Sequence, residues 1–318
     1  MGTMRFTLAD HHGACRPTPL PCAASSFFRT DLAGLMTEPE GAHAPAGLEL
    51  IDSHVHLFPP RVFEAIWRWF DKHAWGIRYR LQAEQVVEFL RVRGVSRFCA
   101  LHYAHKPGMA ETLNQFVYEI GRAHPEVIPF ATVMPGEPGA RDILFNAFTK
   151  LDLRGVKLHC HVQQMAADDP RLDEIYQLCE EAGRPVVIHS GREPSFPAYG
   201  VDTRALCGAD QIDRVLTRHP ELKLIVPHLG ADEFEAYEQL LDRHEHLYLD
   251  TTMAISEAFV RGPAASLFPG RASRLLYGTD FPNIPYAWDR ELGKLLAVVV
   301  NKEDQHKILA GNARTLFG

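Results

Sequence analysis

Residues 48–58, LELIDSHVHLF, carry two histidines at the end of an apolar, strand-like run. Successive side chains of a strand point to opposite faces, so His54 and His56 share one face while Val55 points to the other. Two imidazoles on one face can bind a metal ion from neighbouring coordination positions. Exposed or hydrogen-bonded histidines can have the same spacing, so the HxH pattern alone leaves both interpretations open.

Short apolar, β-branched runs alternate with amphipathic segments from Leu48 onward. The runs are LELIDSHVH, GVSRFCALHY, VIPFATVMP, GVKLHC, PVVIHSG, LKLIVPHLG, LYLDTT and RLLYGTDFP. Among the segments between them, residues 173–183 have apolar side chains at helical spacing and end in Gly183, a helix terminator. This alternation predicts parallel strands joined by crossover helices. Eight such units predict an α/β fold of the closed (β/α)₈ TIM-barrel type.

An open, doubly wound sheet is the alternative fold. That fold usually has a glycine-rich phosphate loop after its first strand. Here the first strand-like run ends in HVHLFPP, which has no such loop, so the sequence favours the barrel.

In a (β/α)₈ barrel, the polar residues that end these runs all lie at the same end of the barrel. Active-site residues of (β/α)₈ enzymes lie at the carboxyl ends of the strands. Unrelated core histidines would not coincide with strand ends so regularly. We therefore expect one shared mouth for the residues found there, which are His54, His56, Lys157, His159, His161, His189, His228 and Asp280.

Composition and charge argue against several classes of function. The 318 residues are 46% hydrophobic and 23% charged, which is typical of globular proteins. A formal net charge of -7 and the absence of a Lys/Arg-rich run argue against a nucleic-acid partner. No apolar run approaches the roughly 20 residues that span a bilayer. The six cysteines form no CxxC pair, which indicates reduced thiols in a cytoplasmic protein.

Residues 1–47 differ from the remainder of the chain. They are interrupted by Pro and Gly, and PLPCAASSFF is shorter than the apolar core of a signal peptide. We interpret residues 1–47 as a leader, either mobile or packed as an arm, and residues 48–318 as the catalytic barrel. The WRWF run at residues 67–70 lies on a predicted helix. We expect these aromatic residues to pack in the core or at an interface, and a homodimer contact is one such interface.

HxH on the first strand, histidines on the fifth and sixth, and an aspartate on the eighth resemble the amidohydrolase superfamily. The closest likeness is to its amidohydrolase-related branch (amidohydrolase family 2), which contains metal-dependent hydrolases and decarboxylases. The similar segments include IDSHVHLF, GVKLHC, PVVIHSG, PHLG, LLYGTDFP and ILAGNARTLFG. The likeness extends from about Leu48 to the C terminus, and residues 1–47 lie outside it.

The resemblance implies that one divalent metal ion, most often zinc, is held by His54, His56, His189 and Asp280. It also implies that His228 acts beside the metal as an acid, a base or a group that polarises the substrate. Imidazole and carboxylate ligands suit Zn²⁺, and they leave Mn²⁺ and Fe²⁺ open. An ion held in this way lowers the pKa of a bound water, and Asp280 is the expected proton acceptor.

Lys157 leaves the number of metal ions open. In superfamily members with two ions, a carbamylated lysine at the end of the fourth strand bridges them. Other members of this branch keep a lysine there without a second ion, so we expect one ion. With two ions, His189 and His228 would bind the second.

His159, His161 and Arg192 are candidate substrate contacts. The two histidines continue the strand alternation of Lys157, and Arg192 could pair with a substrate carboxylate in a bidentate fork. An exposed histidine or a surface salt bridge is the structural alternative for each. His102, Tyr103 and His105 follow the second strand-like run and are further candidates for the lining of the pocket. Together these residues favour a small, anionic substrate.

Two residues near the strand ends are expected to act through their neighbours. Asp250 ends the seventh strand-like run and is expected to orient adjacent groups. Gly278 precedes Thr279 and Asp280, and a glycine there allows close approach of the backbone near the metal.

Two reactions suit such a site. The first is hydrolysis of an ester, lactone or amide, with the metal and His228 stabilising the oxyanion and Asp280 transferring the proton. The second is non-oxidative decarboxylation of an aromatic or unsaturated acid, with Asp280 or His228 protonating the carbon. A catalytically silent scaffold is a third hypothesis. It predicts gaps in the ligand set, whereas every expected position carries the expected residue type.

Overall fold

The computed structural model describes residues 32–41, 44, 47–192, 195–258, 262–263 and 265–318. Within this part of the chain, each of the eight predicted runs contains a β-strand. The strands are β1 (Ile51–His56), β2 (Arg97–Leu101), β3 (Val127–Pro129), β4 (Val156–His159), β5 (Val186–His189), β6 (Leu224–Val226), β7 (Leu247–Asp250) and β8 (Leu275–Leu276). The predicted strand count and order are therefore confirmed.

Parallel pairing joins the strands into the sheets β1-β2-β3 and β4-β5-β6-β7-β8. Backbone hydrogen bonds connect the two sheets at both edges. Between β3 and β4, the Lys157 amide donates to the Ala131 carbonyl at 2.7 Å. Between β8 and β1, the Ser53 amide donates to the Tyr277 carbonyl at 2.8 Å. These contacts close the ring of strands, and the predicted (β/α)₈ barrel is confirmed.

Helices follow the strands as the amphipathic pattern predicts. They are α1 (Leu32–Met36), α2 (Pro60–His73), α3 (Ala83–Val92), α4 (Ala110–Ala123), α5 (Ala140–Thr149), α6 (Cys160–Gln163), α7 (Asp173–Glu181), α8 (Thr203–Leu206), α9 (Ala209–Arg218), α10 (Phe234–Arg243), α11 (Arg290–Val298), α12 (Lys302–His306) and α13 (Asn312–Phe317). Helix α7 buries Ile175, Leu178 and Cys179, and Gly183 follows it with φ +63°, as expected of a helix terminator. No helix in the described ranges is long and apolar enough to cross a membrane.

An apolar cluster fills the barrel towards the amino-terminal ends of its strands. Its buried members come from the strands and from α13, and they include Ile51, Cys99, Ile128, Val187, Ile225, Leu276 and Phe317. Close packing of these side chains excludes polar groups from that end of the barrel. The polar side chains of the strands are therefore left at the opposite, carboxyl end.

Residues 32–41 pack against the barrel. Glu40 accepts hydrogen bonds from the Tyr79 hydroxyl at 2.8 Å and from Arg93 at 2.7 Å. The Ala287 amide donates to Glu38 at 2.9 Å. This part of the segment 1–47 is an arm on the barrel, while residues 1–31 lie outside the described ranges. The domain boundary at residue 47 stays a prediction.

Candidate active site

A cavity of about 580 Å³ opens at the carboxyl ends of the strands. The structure brings together there all the residues predicted to share one mouth, namely His54, His56, Lys157, His159, His161, His189, His228 and Asp280. Cavities of this size accommodate small molecules. The barrel therefore holds its histidines where a small molecule could reach them.

His54, His56 and Asp280 form one group that could hold a metal ion. Asp280 Oδ1 lies 3.0 Å from His56 Nε2 and 3.4 Å from His54 Nε2. A tetrahedral ion about 2.1 Å from each ligand would separate its ligand atoms by about 3.4 Å. Both distances to Asp280 Oδ1 are therefore near the spacing that one ion requires, and all three ligand atoms lie within 4.8 Å of one another.

The Nδ1 atoms of both histidines face acceptors, which leaves both Nε2 atoms on the side of Asp280. His54 Nδ1 lies 2.8 Å from Asp250 Oδ2, and His56 Nδ1 lies 3.3 Å from the Leu101 carbonyl. Because Asp250 requires a proton on His54 Nδ1, the neutral ring of His54 carries its lone pair on Nε2. His56 Nε2 faces Asp280 Oδ1 at 3.0 Å, and a bound ion would replace the proton of that hydrogen bond. This is the arrangement in which protein-bound metals are usually held, so the residues fit a divalent ion. Asp250 orients its neighbour, as the sequence predicts.

His189, His159 and His161 form a second group, whose ligand atoms lie within 4.8 Å of one another. The rings of His159 and His189 stack with centroids 4.1 Å apart, and His161 meets His189 edge-on at 4.7 Å. The resemblance assigns His189 to the ligand set of His54, His56 and Asp280, and that assignment stays a prediction. His228 lies between the groups, with Nε2 3.2 Å from His189 Nδ1.

The position of His161 corrects one step of the sequence analysis. Strand alternation was expected to continue from Lys157 through His159 to His161, but β4 ends at His159 and α6 begins at Cys160. The chain turns there, and His161 reaches the cavity from the first turn of a short helix. Strand periodicity fails at this point because it describes the chain only as far as the strand continues.

Burial controls the protonation of the site histidines. It lowers the pKa of His161 to about 4 and lowers the pKa of His54, His159 and His189 well below the usual range. Nearby positive charge acts in the same direction on the last three. These imidazoles are therefore neutral at physiological pH, and a neutral imidazole is the form that binds metal ions.

Lys157 and Asp280 lie beside the histidines with shifted pKa values. Burial lowers the pKa of Lys157 to about 8, although the carboxylates of Asp250 and Asp280 oppose the shift. Its Nζ is 3.2 Å from His54 Nε2. Burial is the largest single effect and would raise the pKa of Asp280, but the hydrogen bond with His56 and the electrostatic effect of the neighbouring imidazoles together outweigh it and hold that pKa below the usual range. Asp280 is therefore ionised.

Two site residues have left-handed backbone conformations that non-glycine residues rarely adopt. His228 has φ 59° and Asp280 has φ 69°. Such conformations cost on the order of 1–3 kcal/mol each and persist where surrounding contacts hold them. The His228 amide donates a hydrogen bond to the Asp250 carboxylate at 3.2 Å, and the Asp280 amide donates one to the His54 carbonyl at 2.9 Å. The strain coincides with the residues to which the sequence assigns chemistry.

Gly278 provides the close approach that the sequence predicts. A Cβ atom at this position would lie 2.3 Å from Thr252 Oγ1 and 3.0 Å from His54 Cβ. No side chain fits at those distances without moving its neighbours. Glycine at this position therefore permits His54 to sit against the end of β8.

Asp52 is a positioning residue that the sequence analysis missed. Its carboxylate accepts hydrogen bonds from the His54 amide at 3.0 Å, the Thr279 amide at 3.2 Å and the Thr279 hydroxyl at 2.6 Å. Burial raises the pKa of Asp52 to about 7. Asp52 thus ties β1 to the segment that carries Asp280. The alternation that unites His54 and His56 also includes Asp52, which is the signal that could have identified it.

Aromatic side chains form much of the remaining wall of the cavity. They are Phe58, Trp69, Phe70, Trp75, Tyr103 and Tyr199. The core or interface role predicted for the WRWF helix is thus incomplete, since Trp69 and Phe70 line the cavity. The rings of Trp69 and Tyr199 lie 5.1 Å apart. A wall of this kind suits a planar, partly apolar ligand.

The two arginines near this wall differ in position. Arg192 lies 3.2 Å from Glu233 in an ion pair, and it is not among the described residues that line the cavity. Arg204, on α8, does line the cavity. The structure therefore does not bring Arg192 to the cavity wall, and its substrate role stays a prediction. No sequence signal distinguishes the two, because the path of the loop after β5 decides which one faces inward.

Several solved structures share this fold. A TIM-barrel protein from Bordetella bronchiseptica is 22% identical, and the match covers 85% of this chain and 98% of that one with a TM-score of 0.64. 5-Carboxyvanillate decarboxylase from Sphingomonas paucimobilis is 15% identical, with 85% and 99% covered and a TM-score of 0.60. A probable 2-pyrone-4,6-dicarboxylic acid hydrolase from Acinetobacter baumannii, solved with citric acid bound, is 17% identical, with 85% and 100% covered and a TM-score of 0.57. At these identities, the likeness shows the fold.

Sequence comparison identifies the family. No significant match was found among curated proteins. The family model described as amidohydrolase, that of amidohydrolase family 2, matches residues 51–318. This range contains all eight strands and both histidine groups. The chain therefore belongs to amidohydrolase family 2 and is an enzyme of this metal-dependent family.

Proposed function

We propose that the chain is a metal-dependent hydrolase that cleaves an ester, lactone or amide of a small, anionic substrate. The observation that carries the proposal is the group of His54, His56 and Asp280 in the cavity. Asp280 Oδ1 lies 3.0 Å from His56 Nε2 and 3.4 Å from His54 Nε2. Histidine and carboxylate ligands at this spacing suit zinc, which we propose as the native ion. When bound, the ion would polarise a substrate carbonyl and acidify water.

Asp280 and His228 would move the protons of this reaction. Asp280 is ionised, so it can accept a proton from the attacking water. His228 Nδ1 donates to the Thr252 carbonyl at 3.0 Å, so Nε2 carries the lone pair, which faces His189 Nδ1 at 3.2 Å until substrate replaces that contact. Once protonated at Nε2, His228 donates to a substrate oxygen and stabilises the developing negative charge. The two residues thus have separate roles, set by their different hydrogen bonds.

The wall of the cavity supports the proposed substrate class. Its aromatic part suits a planar, unsaturated body, and Arg204 adds a cationic side chain to the same cavity. A cavity of about 580 Å³ suits a molecule of one or two rings. These features support a small, unsaturated or aromatic acid derivative as the substrate.

Non-oxidative decarboxylation is the second candidate reaction, and the aromatic wall favours it. Transfer of a carboxylate into apolar surroundings destabilises its charge and thereby favours loss of carbon dioxide. Asp280 or His228, after taking up a proton from solvent, would then protonate the ring carbon. The similar structures include one described as a decarboxylase and one described as a probable hydrolase, so they support either candidate.

Isotope incorporation separates the two reactions. We would screen lactones, esters, amides and aromatic acids in H₂¹⁸O, with carbon dioxide measured in parallel. Hydrolysis predicts ¹⁸O in the acid product without carbon dioxide, and loss of turnover in Asp280→Asn. His124→Gln is the matched control, because His124 pairs with Glu84 on the outer helices. Release of carbon dioxide with no ¹⁸O in the organic product would support the second candidate. Turnover that persists in a folded Asp280→Asn variant would refute the assigned proton acceptor.

A further inference from the structure

We propose that Glu38 and Glu40, on the arm that precedes the barrel, are positioning residues of the active site. They hold the buried segment 281–288, which directly follows Asp280, in the path that completes the cavity wall. No arm residue is among the described residues that line the cavity, so both glutamates act through other groups. The proposal goes beyond the proposed function and rests on it only for the bound ion.

The segment 281–288 depends on acceptors from outside itself. It is buried although it follows an irregular path between β8 and α11. Buried backbone amides require hydrogen-bond acceptors, and outside helices and strands these come from elsewhere in the fold. The Ala287 amide donates to Glu38 at 2.9 Å, and the Trp288 amide donates to the Tyr79 hydroxyl at 3.1 Å. The arm therefore satisfies part of the backbone of this segment.

Glu40 orients the hydroxyl that accepts the Trp288 amide. The Tyr79 hydroxyl donates to Glu40 Oε1 at 2.8 Å, which leaves a lone pair of its oxygen for the amide. Arg93 donates to Glu40 Oε2 at 2.7 Å. A carboxylate paired in this way is an acceptor only, so it fixes the direction of the hydroxyl proton. Glu38 thus contacts the segment directly, and Glu40 contacts it through Tyr79.

The held segment is continuous with the cavity wall beside Asp280. Asn283 lines the cavity, and its amide donates to the Asp280 carbonyl at 2.9 Å. The Asn283 carbonyl accepts a hydrogen bond from Trp75 Nε1 at 2.8 Å, and Trp75 lines the cavity as well. Asp280 has φ 69°, a conformation that persists only where surrounding contacts hold it. A loosened segment would therefore disturb a metal ligand and part of the aromatic wall.

The arm also contacts the second segment of this wall, which includes Arg78. Arg78 Nη1 donates to the Leu35 carbonyl at 3.2 Å, and the Arg78 amide donates to the Ile284 carbonyl at 3.0 Å. Leu35 is 5% exposed and packs in the main apolar core. The arm is thus anchored in the core and bound to both segments that form this wall.

The ion pairs of the arm are partly shielded from solvent. The side chains of Glu38 and Arg290 are 21% and 19% exposed, and those of Glu40 and Arg93 are 27% and 23% exposed. Salt screens such pairs less than fully exposed ones. Arg290 Nε also donates to the Ser256 carbonyl, in the segment that follows β7. Glu38 therefore connects the segments that follow β7 and β8.

Hydrogen exchange of the full-length protein, followed by mass spectrometry, tests the proposal without turnover. In Glu38→Ala, the amides of residues 280–288 should exchange at least about 10-fold faster than in the wild type, while those of β5 and β6 keep their rates. Glu38→Gln keeps an oxygen for the Ala287 amide, so it should retain most of the protection. Glu88→Ala is the matched control, because Glu88 pairs with Arg91 on the exposed face of α3.

Zn²⁺ affinity and kinetics provide the functional readout. Glu38→Ala and Tyr79→Phe should each raise the Kd of Zn²⁺ about 10-fold, as expected when a metal ligand loses its supporting contacts. With a substrate found in the screen, KM should rise more than kcat falls, because the disturbed wall includes Trp75. Glu40→Ala combined with Tyr79→Phe should lose no more than Tyr79→Phe alone, since Glu40 acts through that hydroxyl.

Two results would overturn the proposal. One is unchanged exchange of residues 280–288 in Glu38→Ala and in Tyr79→Phe. The other is exchange that rises by the same factor throughout the barrel, which would show a general loss of stability. Tyr79→Phe provides the second variant if Glu38→Ala does not fold. Absence of bound Zn²⁺ in the folded wild type would refute the proposed function, while the exchange comparison would still decide whether the arm holds the segment 281–288.

Discussion

Asp250→Asn tests whether one buried carboxylate sets the metal-binding form of His54. Asp250 Oδ2 accepts the proton of His54 Nδ1 at 2.8 Å, and Oδ1 accepts the backbone amides of His228 at 3.2 Å and Thr252 at 3.1 Å. Asparagine has one oxygen for these two tasks. If the oxygen stays on the backbone amides, its NH₂ faces His54 Nδ1 and shifts the imidazole proton to Nε2. If the amide flips, its NH₂ opposes two backbone donors.

The expected loss follows from the type of bond removed. A hydrogen bond to a buried charged group contributes about 1.5–3 kcal/mol. Loss of a residue that orients a metal ligand lowers metal affinity about 10–100-fold, which corresponds to about 1.4–2.7 kcal/mol. Asp250 is fully buried and its bond to His54 is short. We therefore expect a loss of about 100-fold for the ion held by His54, His56 and Asp280.

The assay is competition for Zn²⁺ against a chromophoric chelator, with folding checked by circular dichroism. Asp52→Asn is the matched control. This variant also replaces a buried carboxylate near His54. Asp52, which lies in β1, accepts hydrogen bonds from two backbone amides and a hydroxyl, and none from an imidazole. Because the pKa of Asp52 is raised to about 7, a neutral isostere should be tolerated there. A Zn²⁺ affinity of Asp250→Asn within threefold of wild type, or equal losses in both variants, would show that the tautomer argument is wrong.

Further predictions concern stability, packing and substrate affinity. Burial lowers the pKa of His102 to about 4, so below pH 6.5 the unfolded chain binds a proton that the folded chain excludes. The free energy of unfolding should therefore fall by up to about 3 kcal/mol between pH 6.5 and 4. Chemical denaturation should show a smaller fall in His102→Gln. Gly278→Ala should weaken metal binding and lower the melting temperature, since its Cβ would lie 2.3 Å from the Thr252 hydroxyl oxygen. Gly293→Ala is the control: a Cβ there meets no atom within 4 Å, so the variant should be neutral or stabilising in the same assays. Trp69→Ala should raise the KM of an aromatic substrate at least about 10-fold with a smaller change in kcat; an equal effect of Phe145→Ala, at a residue 54% exposed, would argue against a contact with substrate.

The sequence predicts most of the barrel because strand and helix periodicity are local properties. Each polar strand end carries its own signal, and a closed parallel barrel has one carboxyl end, so His54 and Asp280 could be placed in one cavity without knowledge of any loop. The same logic located Lys157. Family resemblance then added the expected metal.

The failures concern parts of the site that local periodicity does not describe. His161 was assigned to a continuing strand, but the chain turns into α6 at Cys160. Arg192 is a predicted substrate contact, yet the described residues that line the cavity include Arg204 and not Arg192, which pairs with Glu233. Neither of these can be read from residue spacing.

The hydrogen bonds of Asp52 also bear on when the protein can acquire its metal. Asp52 and Thr279 are 227 positions apart in the chain, as the first and last strands of the barrel require. At about 5–20 residues per second, a ribosome needs roughly 10–45 s to proceed from one to the other. During that interval the nascent chain presents His54 and His56 without Asp280, an incomplete ligand set. The set of His54, His56 and Asp280 is therefore complete only when the barrel closes, which makes metal capture by this set one of the last events of biosynthesis.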